Sequence, residues 1–311
     1  MTGSKRRVGV AILGGWALIA VAAPFLPLRD PNAQPNGLVL RTLPPMSSVP
    51  VLTHRDGTTE FVNEWRREPG GELSARRGDT WARVEDATPA IAPARFVLGT
   101  DALGRDLLSR LVWGARVSLV AGLLAALVAV AIGGSVGLTA GLAGGRVDSL
   151  LMRATDGALA VPRLFLLLLL AALFRPTLQT TVLLVGATTW MAAARLVRGE
   201  ALTIREREFV ASARAAGASP LRVALHHVLP HAAAVLGVEA ALRLGQAVLL
   251  EASLSFLGLG VPPPTSSWGG LIADGRDRLL DAWWIATWPG LALAGVVLAA
   301  GLVADGARER L

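Results

Sequence analysis

The chain alternates between long uncharged runs and short charged ones. Residues 8–28, 117–145, 176–194 and 282–304 hold no Asp, Glu, Lys or Arg. Each reaches or passes the ~18 apolar residues that argue for a helix crossing a bilayer. Two further stretches complete the pattern. One covers 156–174, with Arg163 near its start and Leu166–Leu170 at its centre. The other covers 232–256 and is the least apolar, since it holds Glu239, Arg243 and Glu251. The predicted spans are 8–28, 115–142, 156–174, 177–194, 232–256 and 282–304. The fold class expected is an all-α polytopic membrane protein with six transmembrane helices.

Residues 31–95 break this pattern. They are dense in charge and proline, and unsatisfied backbone of that kind cannot lie in lipid. Val51 to Val62 reads as a β-hairpin around Asp56-Gly57, and a second alternation runs from Asp79 to Val84. The expected organisation is an N-terminal tail and anchor helix at 1–30, a small β-rich extracytoplasmic insertion at 31–95, and a core at 96–311 with five helices. The first apolar run follows Lys5-Arg6-Arg7 and exceeds a signal peptide's usual ~7–15 residues. Its candidate cleavage site, Val21-Ala22-Ala23, meets Pro24, so it reads as an uncleaved anchor.

Composition excludes several classes. Charged residues make up 17% of the chain against ~25% in soluble domains. The net charge of +7 suits basic residues gathered at cytoplasmic helix ends better than a nucleic-acid surface, since no basic stripe interleaves with aromatics. Lys5–Arg7, Arg146, Arg153, the arginines of 195–222, Arg308 and Arg310 all fall on the inner side if both termini are cytoplasmic. Arg105, Arg110 and Arg116 fall on the other side. Cysteine is absent, which removes disulfides and thiolate chemistry. The only lysine, Lys5, lies in no Gly-x-x-x-x-Gly-Lys loop, so the chain cannot build that ATP site itself.

One inner loop is too long for a turn. Residues 199–231 begin with a helix-favouring, alanine-rich stretch that Gly217 would stop. Ser219 then reads as an N-cap with Pro220 at the first helical position. Small residues from 211 to 218 leave a surface that another backbone can approach closely.

Here the sequence resembles the inner-membrane permease subunits of ATP-binding-cassette importers. Ala211-Ser212-Ala213, Gly217 and Leu229-Pro230 sit at the spacing of that family's loop signature. The departures are Ala211 for glutamate, Ser212 for alanine and His227 for isoleucine. Gly99-Thr-Asp-Ala-Leu-Gly-Arg-Asp-Leu-Leu-Ser-Arg110, Glu251–Val261 and Ser267-Trp-Gly-Gly270 look like hallmarks of the dipeptide, oligopeptide and nickel branch, C-type subunit. Residues 50–94 look like an addition to the usual pattern.

The resemblance implies a type I importer permease architecture and a non-catalytic subunit, with ATP bound by partner subunits and no cofactor of its own. It implies a second homologous permease subunit, two cytoplasmic ATPases, an extracytoplasmic solute-binding protein and a bacterial or archaeal cytoplasmic membrane. The ATPase-coupling loop would comprise Glu208, Ala211, Ser212, Ala213, Arg214, Gly217, Leu229 and Pro230. Glu251 and Ser255 are candidates for the translocation path. The competing class is an ion-coupled secondary transporter, which would call for internal repeats and several midplane charges.

Other motifs carry less. His226, His227 and His231 include an i,i+4 pair but no third ligand, so no metal site is expected. Glu239 and Arg243 are spaced to pair along one helix. Gly133, Gly137 and Gly141 suit close helix packing. Trp283, Trp284 and Trp288 sit where an aromatic belt would lie.

Overall fold

A computed structural model describes residues 2–89 and 93–308. Arg310, counted above among the inner charges, lies outside them. The chain divides into two compact units, one of Met1–Leu18, Ser118–Pro262 and Leu293–Leu311, the other of Ile19–Val117 and Pro263–Ala292.

The first unit is helical. In chain order the helices are α1 (Thr2–Ala22), α2 (Gly37–Leu40), α3 (Leu107–Ala143), α4 (Gly145–Ala160), α5 (Arg163–Ala171), α6 (Leu178–Ala187), α7 (Met191–Arg205), α8 (Glu208–Ala215), α9 (Pro220–Val223), α10 (Leu229–Phe256), α11 (Trp268–Arg276) and α12 (Trp284–Arg308). Helices α2 and α11 belong to the second unit, and α1, α3 and α12 run from one unit into the other. Among the described residues three helices are long enough and apolar enough to cross a membrane, at Ser4–Phe25, Leu107–Ala143 and Trp284–Ala307. Three bent helix pairs pass the same test together, which gives up to six spans if each pair is one.

The bends correct the uninterrupted spans expected from hydropathy. The 156–174 run breaks by 85° between α4 and α5, where Pro162 denies the helix a donor and pushes Val161 into extended backbone. The 177–194 run ends at Ala187, turns by 47° and continues as α7 to Arg205. The fifth span bends by 63° between Ala233 and Leu236. Helix α3 has 37 residues and so measures about 55 Å, well beyond a ~30 Å hydrocarbon core.

Close approach holds this unit together. Lipid tails supply no hydrophobic drive between helices, so small residues that admit another backbone are favoured. A Cβ on Gly133 would stand 2.5 Å from the Trp190 carbonyl, and one on Gly141 2.6 Å from the Ala201 Cβ. Gly137 between them faces the Ala194 carbonyl directly. The glycine row is thus the bed in which α7 lies. We expect Gly137→Ala to lower the thermal midpoint in detergent, by about 1–3 kcal/mol of overpacking. Gly134→Ala, where the nearest atom is 3.9 Å away, should hold or raise it. Equal midpoints for the two would remove the packing argument. A second contact layer joins Ala121 and Ala125 of α3, Leu167 and Ala171 of α5, Val182 and Val185 of α6, and Ala247 and Leu254 of α10.

In the second unit eight short strands form three antiparallel sheets: β1 (Ser47–Val49) with β8 (Ala94–Phe96); β3 (Thr59–Phe61), β2 (Val51–His54) and β7 (Ala87–Pro89); and β4 (Glu64–Arg67), β5 (Leu73–Arg77) and β6 (Thr80–Val84). The β2–β3 hairpin pairs Val51 with Phe61 and Thr53 with Thr59, and Gly57 takes a φ of +83° in its turn. This is the hairpin the alternation predicts. Leu52, Val62, Leu73, Ala75 and Val84 pack inward as a small core. Strands β1 and β8 pair at the base, so both ends of the β-rich segment leave side by side. Glu60 takes two hydrogen bonds from the Arg77 guanidinium, which holds its carboxyl below the ordinary glutamate range.

Candidate functional site

Helix α8 is eight residues long, and one of its side chains, Val210, is fully buried. Val210 packs with Ala201 and Ile204 of α7 and with Val223 and Val228 beyond the turn. Everything else that the loop signature marks on α8 faces out or nearly so. Glu208, Ala211, Ser212 and Arg214 are exposed and Ala213 is half-buried. The helix closes as a Schellman turn, with Ala218 N–H donating to the Ala213 carbonyl and Gly217 N–H to that of Arg214. Gly217 has a φ of +83°, which an L side chain rarely adopts.

Ser219 then caps α9 by accepting from the Arg222 N–H at 3.3 Å. The second helix is not a separate short rod. After α9 the chain makes one π-helical turn at Ala224–Val228 and runs directly into α10. Leu229 and Pro230 therefore form the first turn of α10, within the N-terminal arm of a bent span; Leu229 is half-buried and Pro230 exposed. The Phe209 ring of α8 stacks on His231 of α10 at 5.1 Å with 19° between the planes. It also leans on His227 at 6.1 Å, and a ring nitrogen of His231 stands 2.7 Å from the His227 carbonyl oxygen. The histidines act here as packing surfaces. Helices α8 and α10 are thus in direct aromatic contact as well as joined through the chain. The sequence showed the His227–His231 spacing but nothing that pointed to Phe209.

Beside α8 lies an apolar groove of about 670 Å³, walled by Leu138 and Leu142 of α3, by Pro220, Leu221 and Leu225, and by Arg214. Helix α4 is tied to α7 by charge. Arg198 grips both oxygens of Asp148 at 2.5 and 2.6 Å, and Arg195 reaches Asp156.

Glu251 and Ser255 sit inside the helical unit, at 1% and 7% exposure. Ser118 of α3 donates to one Glu251 oxygen at 3.0 Å, and Ser255 to the other at 2.8 Å. The Ser255 hydroxyl in turn accepts from the Val261 N–H. One carboxylate thereby joins α3, the last turn of α10 and the segment that follows. Deeper along α10, Arg243 donates to Glu239 at 2.6 Å and both are buried, so the i,i+4 pairing forms.

The Gly99–Arg110 segment folds into a buried ionic knot. Asp101, fully buried, accepts from Arg105 Nε at 2.7 Å, from the N–H groups of Leu103 and Arg105, and from the Arg110 guanidinium. Asp274 of α11 meets both arginines at 3.4 and 3.2 Å. Asp106 accepts from the Ser109 N–H at the start of α3, and burial pushes its carboxyl up. Trp268 is buried and donates to the Leu111 carbonyl, while Ser267 caps α11. The aromatic belt needs correcting. Trp283 is 48% exposed, but Trp284 is 5% exposed and donates to the Thr100 carbonyl, as part of a core with Leu107, Leu271 and Ile285.

Residues 133–311 match the family described as "Binding-protein-dependent transport system inner membrane component". The chain belongs to that family. This permease is 44% identical over 218 residues to the di/tripeptide transport system permease protein DppC of Pseudomonas aeruginosa (strain UCBPP-PA14), covering 70% of the chain and 72% of the relative. It is also 44% identical over 215 residues to the dipeptide transport system permease protein DppC of Escherichia coli (strain K12), covering 69% and 72%. A probable D,D-dipeptide transport system permease protein of the same strain is 37% identical over 228 residues, with 73% and 76% covered. The permease is therefore a multi-pass membrane subunit of an ATP-binding-cassette importer, of the type found in the peptide branch.

Proposed function

We propose that this permease forms half of the translocation path of an ATP-driven importer for di- or oligopeptides. Its partners are a second homologous permease subunit, two cytoplasmic ATPases that bind and hydrolyse the ATP, and an extracytoplasmic solute-binding protein. It lies in a bacterial or archaeal cytoplasmic membrane with both termini inside and the β-rich insertion outside. The observation that carries the reading is the α8–Gly217–α9 turn. It is a short helix with one fully buried residue behind and small residues in front, joined by Phe209 and His231 to a membrane span. Closure of the ATPases on ATP would move α8, and α10 would follow with the bundle. Glu251 and Ser255 contribute to the path by holding the last turn of α10 against α3, which shapes the wall that cargo passes.

Uptake of labelled L-alanyl-L-alanine by cells tests this. Deleting the permease should abolish uptake, and collapsing ion gradients while ATP is maintained should leave wild-type uptake in place. Uptake that vanishes with the gradient and ignores ATP depletion would instead assign an ion-coupled secondary transporter.

A further inference from the structure

Within the helical unit the charges do not balance. Glu239 and Arg243 neutralise each other, and Arg243 Nη1 also donates to Gln246 Oε1 at 2.7 Å. Arg163 Nη1 donates to the same amide oxygen at 3.4 Å, across 83 residues of sequence. Two guanidiniums thus converge on one neutral oxygen, with a single carboxylate between them. Among the described residues no carboxylate pairs with Arg163. It is half-buried, at the 85° break that Pro162 makes between α4 and α5. A cleft of about 230 Å³ opens beside it, lined by Leu159, Pro162, Leu166, Thr188 and Met191.

An ionised group inside a membrane bundle costs several kcal/mol unless it is paired or faces a water path. Arg243 meets that requirement through Glu239. Arg163 has the neutral Gln246 oxygen and the cleft. Its guanidinium fork matches two oxygens of a carboxylate better than a single amide oxygen. The cleft is smaller than the ~300–1,000 Å³ of pockets that enclose a whole ligand, so it admits one end of a molecule.

We propose that Arg163, held by Gln246, is a binding site for the C-terminal carboxylate of the transported peptide. Leu166 and Met191 form the apolar wall beside it. This assignment rests on the peptide reading above and adds to it the chemical group recognised inside the membrane. Every peptide with a free C-terminus carries that group, whatever its side chains, so the site accepts varied sequences and rejects amidated ends.

The chain has no cysteine, so Arg163→Cys introduces its single thiol. Binding of L-alanyl-L-alanine and of its C-terminal amide is measured on the purified importer complex without the solute-binding protein. The wild type should bind the free acid more tightly than the amide. Arg163→Cys should weaken free-acid binding about tenfold or more, the scale of a hydrogen bond to a charged group, and leave amide binding unchanged. Treating the same variant with 2-aminoethyl methanethiosulfonate restores a cation and should return much of the loss. The sulfonatoethyl reagent should return none, and the wild type treated alike controls for thiols on partner subunits. Unweakened free-acid binding by the untreated variant overturns the site. So does equal recovery with both reagents, or a thiol inert to both, which would put Arg163 against lipid. Wild-type cells that take up no peptide refute the peptide reading, and this assignment falls with it. Intact wild-type uptake together with any of the other failures refutes the site alone.

Discussion

Gly217→Trp should detach this permease from its ATPase while leaving the membrane bundle folded. A Cβ at Gly217 meets nothing within 4 Å, so an indole there projects into open space in front of α8. The cost to the free chain is the backbone strain at a φ of +83°, about 1–3 kcal/mol and confined to the turn. A partner that seats against Ala211, Ser212 and Gly217 would meet a large ring where it had met hydrogen. Tagged wild-type protein from detergent-solubilised membranes should bring down an ATPase subunit, and Gly217→Trp at most a tenth as much. Gly217→Ala carries the strain without the ring and should retain most of the partner. If Gly217→Trp and the wild type recover equal ATPase, the docking face lies elsewhere on the loop. If neither recovers any, the importer assembly itself is wrong.

The largest expected loss of stability follows Asp101→Ala. Asp101 is the buried anion at the centre of the knot, and its removal leaves Arg105 and Arg110 enclosed, with the half-exposed Asp274 as the carboxylate that still pairs with them among the described residues. Breaking a buried pair by deleting one partner costs about 3–5 kcal/mol, because the surviving charge stays desolvated. Four hydrogen bonds into the carboxylate go at the same time. The thermal midpoint in detergent should fall well below that of Gly137→Ala, with earlier tryptic cleavage within 99–110. Arg55→Ala breaks an ion pair whose partners are both largely exposed, and should leave the midpoint in place. A small shift for Asp101→Ala would mean that water or Asp274 already carries those cations.

Local chemistry was legible along the chain wherever the physics involved is local. Gly57 and Gly217 stand where the backbone needs a positive φ, and both turns form as the sequence implies. The Glu239–Arg243 pair is one helical turn apart, and so is readable as a spacing. Pro162 was equally visible, but an apolar run hides how sharply the chain can turn while its side chains remain satisfied. Hydropathy averages over a window and carries no information on direction. It therefore located six spans and missed that three are bent. The tryptophans of 283–288 show the same limit. An indole suits a membrane interface and a protein core alike, and only the Thr100 carbonyl within reach of Trp284 distinguishes them.

The sequence by itself determined the membrane class, the six apolar runs, the β-rich insertion, the absence of a Walker lysine and the Gly217 turn. All of these follow from composition, periodicity or the demands of a single turn. The tertiary structure alone decided which polar groups share a buried site. Asp101 and Asp274 share Arg110, Ser118 meets Glu251, and Trp268 meets the Leu111 carbonyl. Burial removes the competing water, so the energy of each such group depends on partners that packing brings from distant parts of the chain. No spacing along the sequence records that proximity.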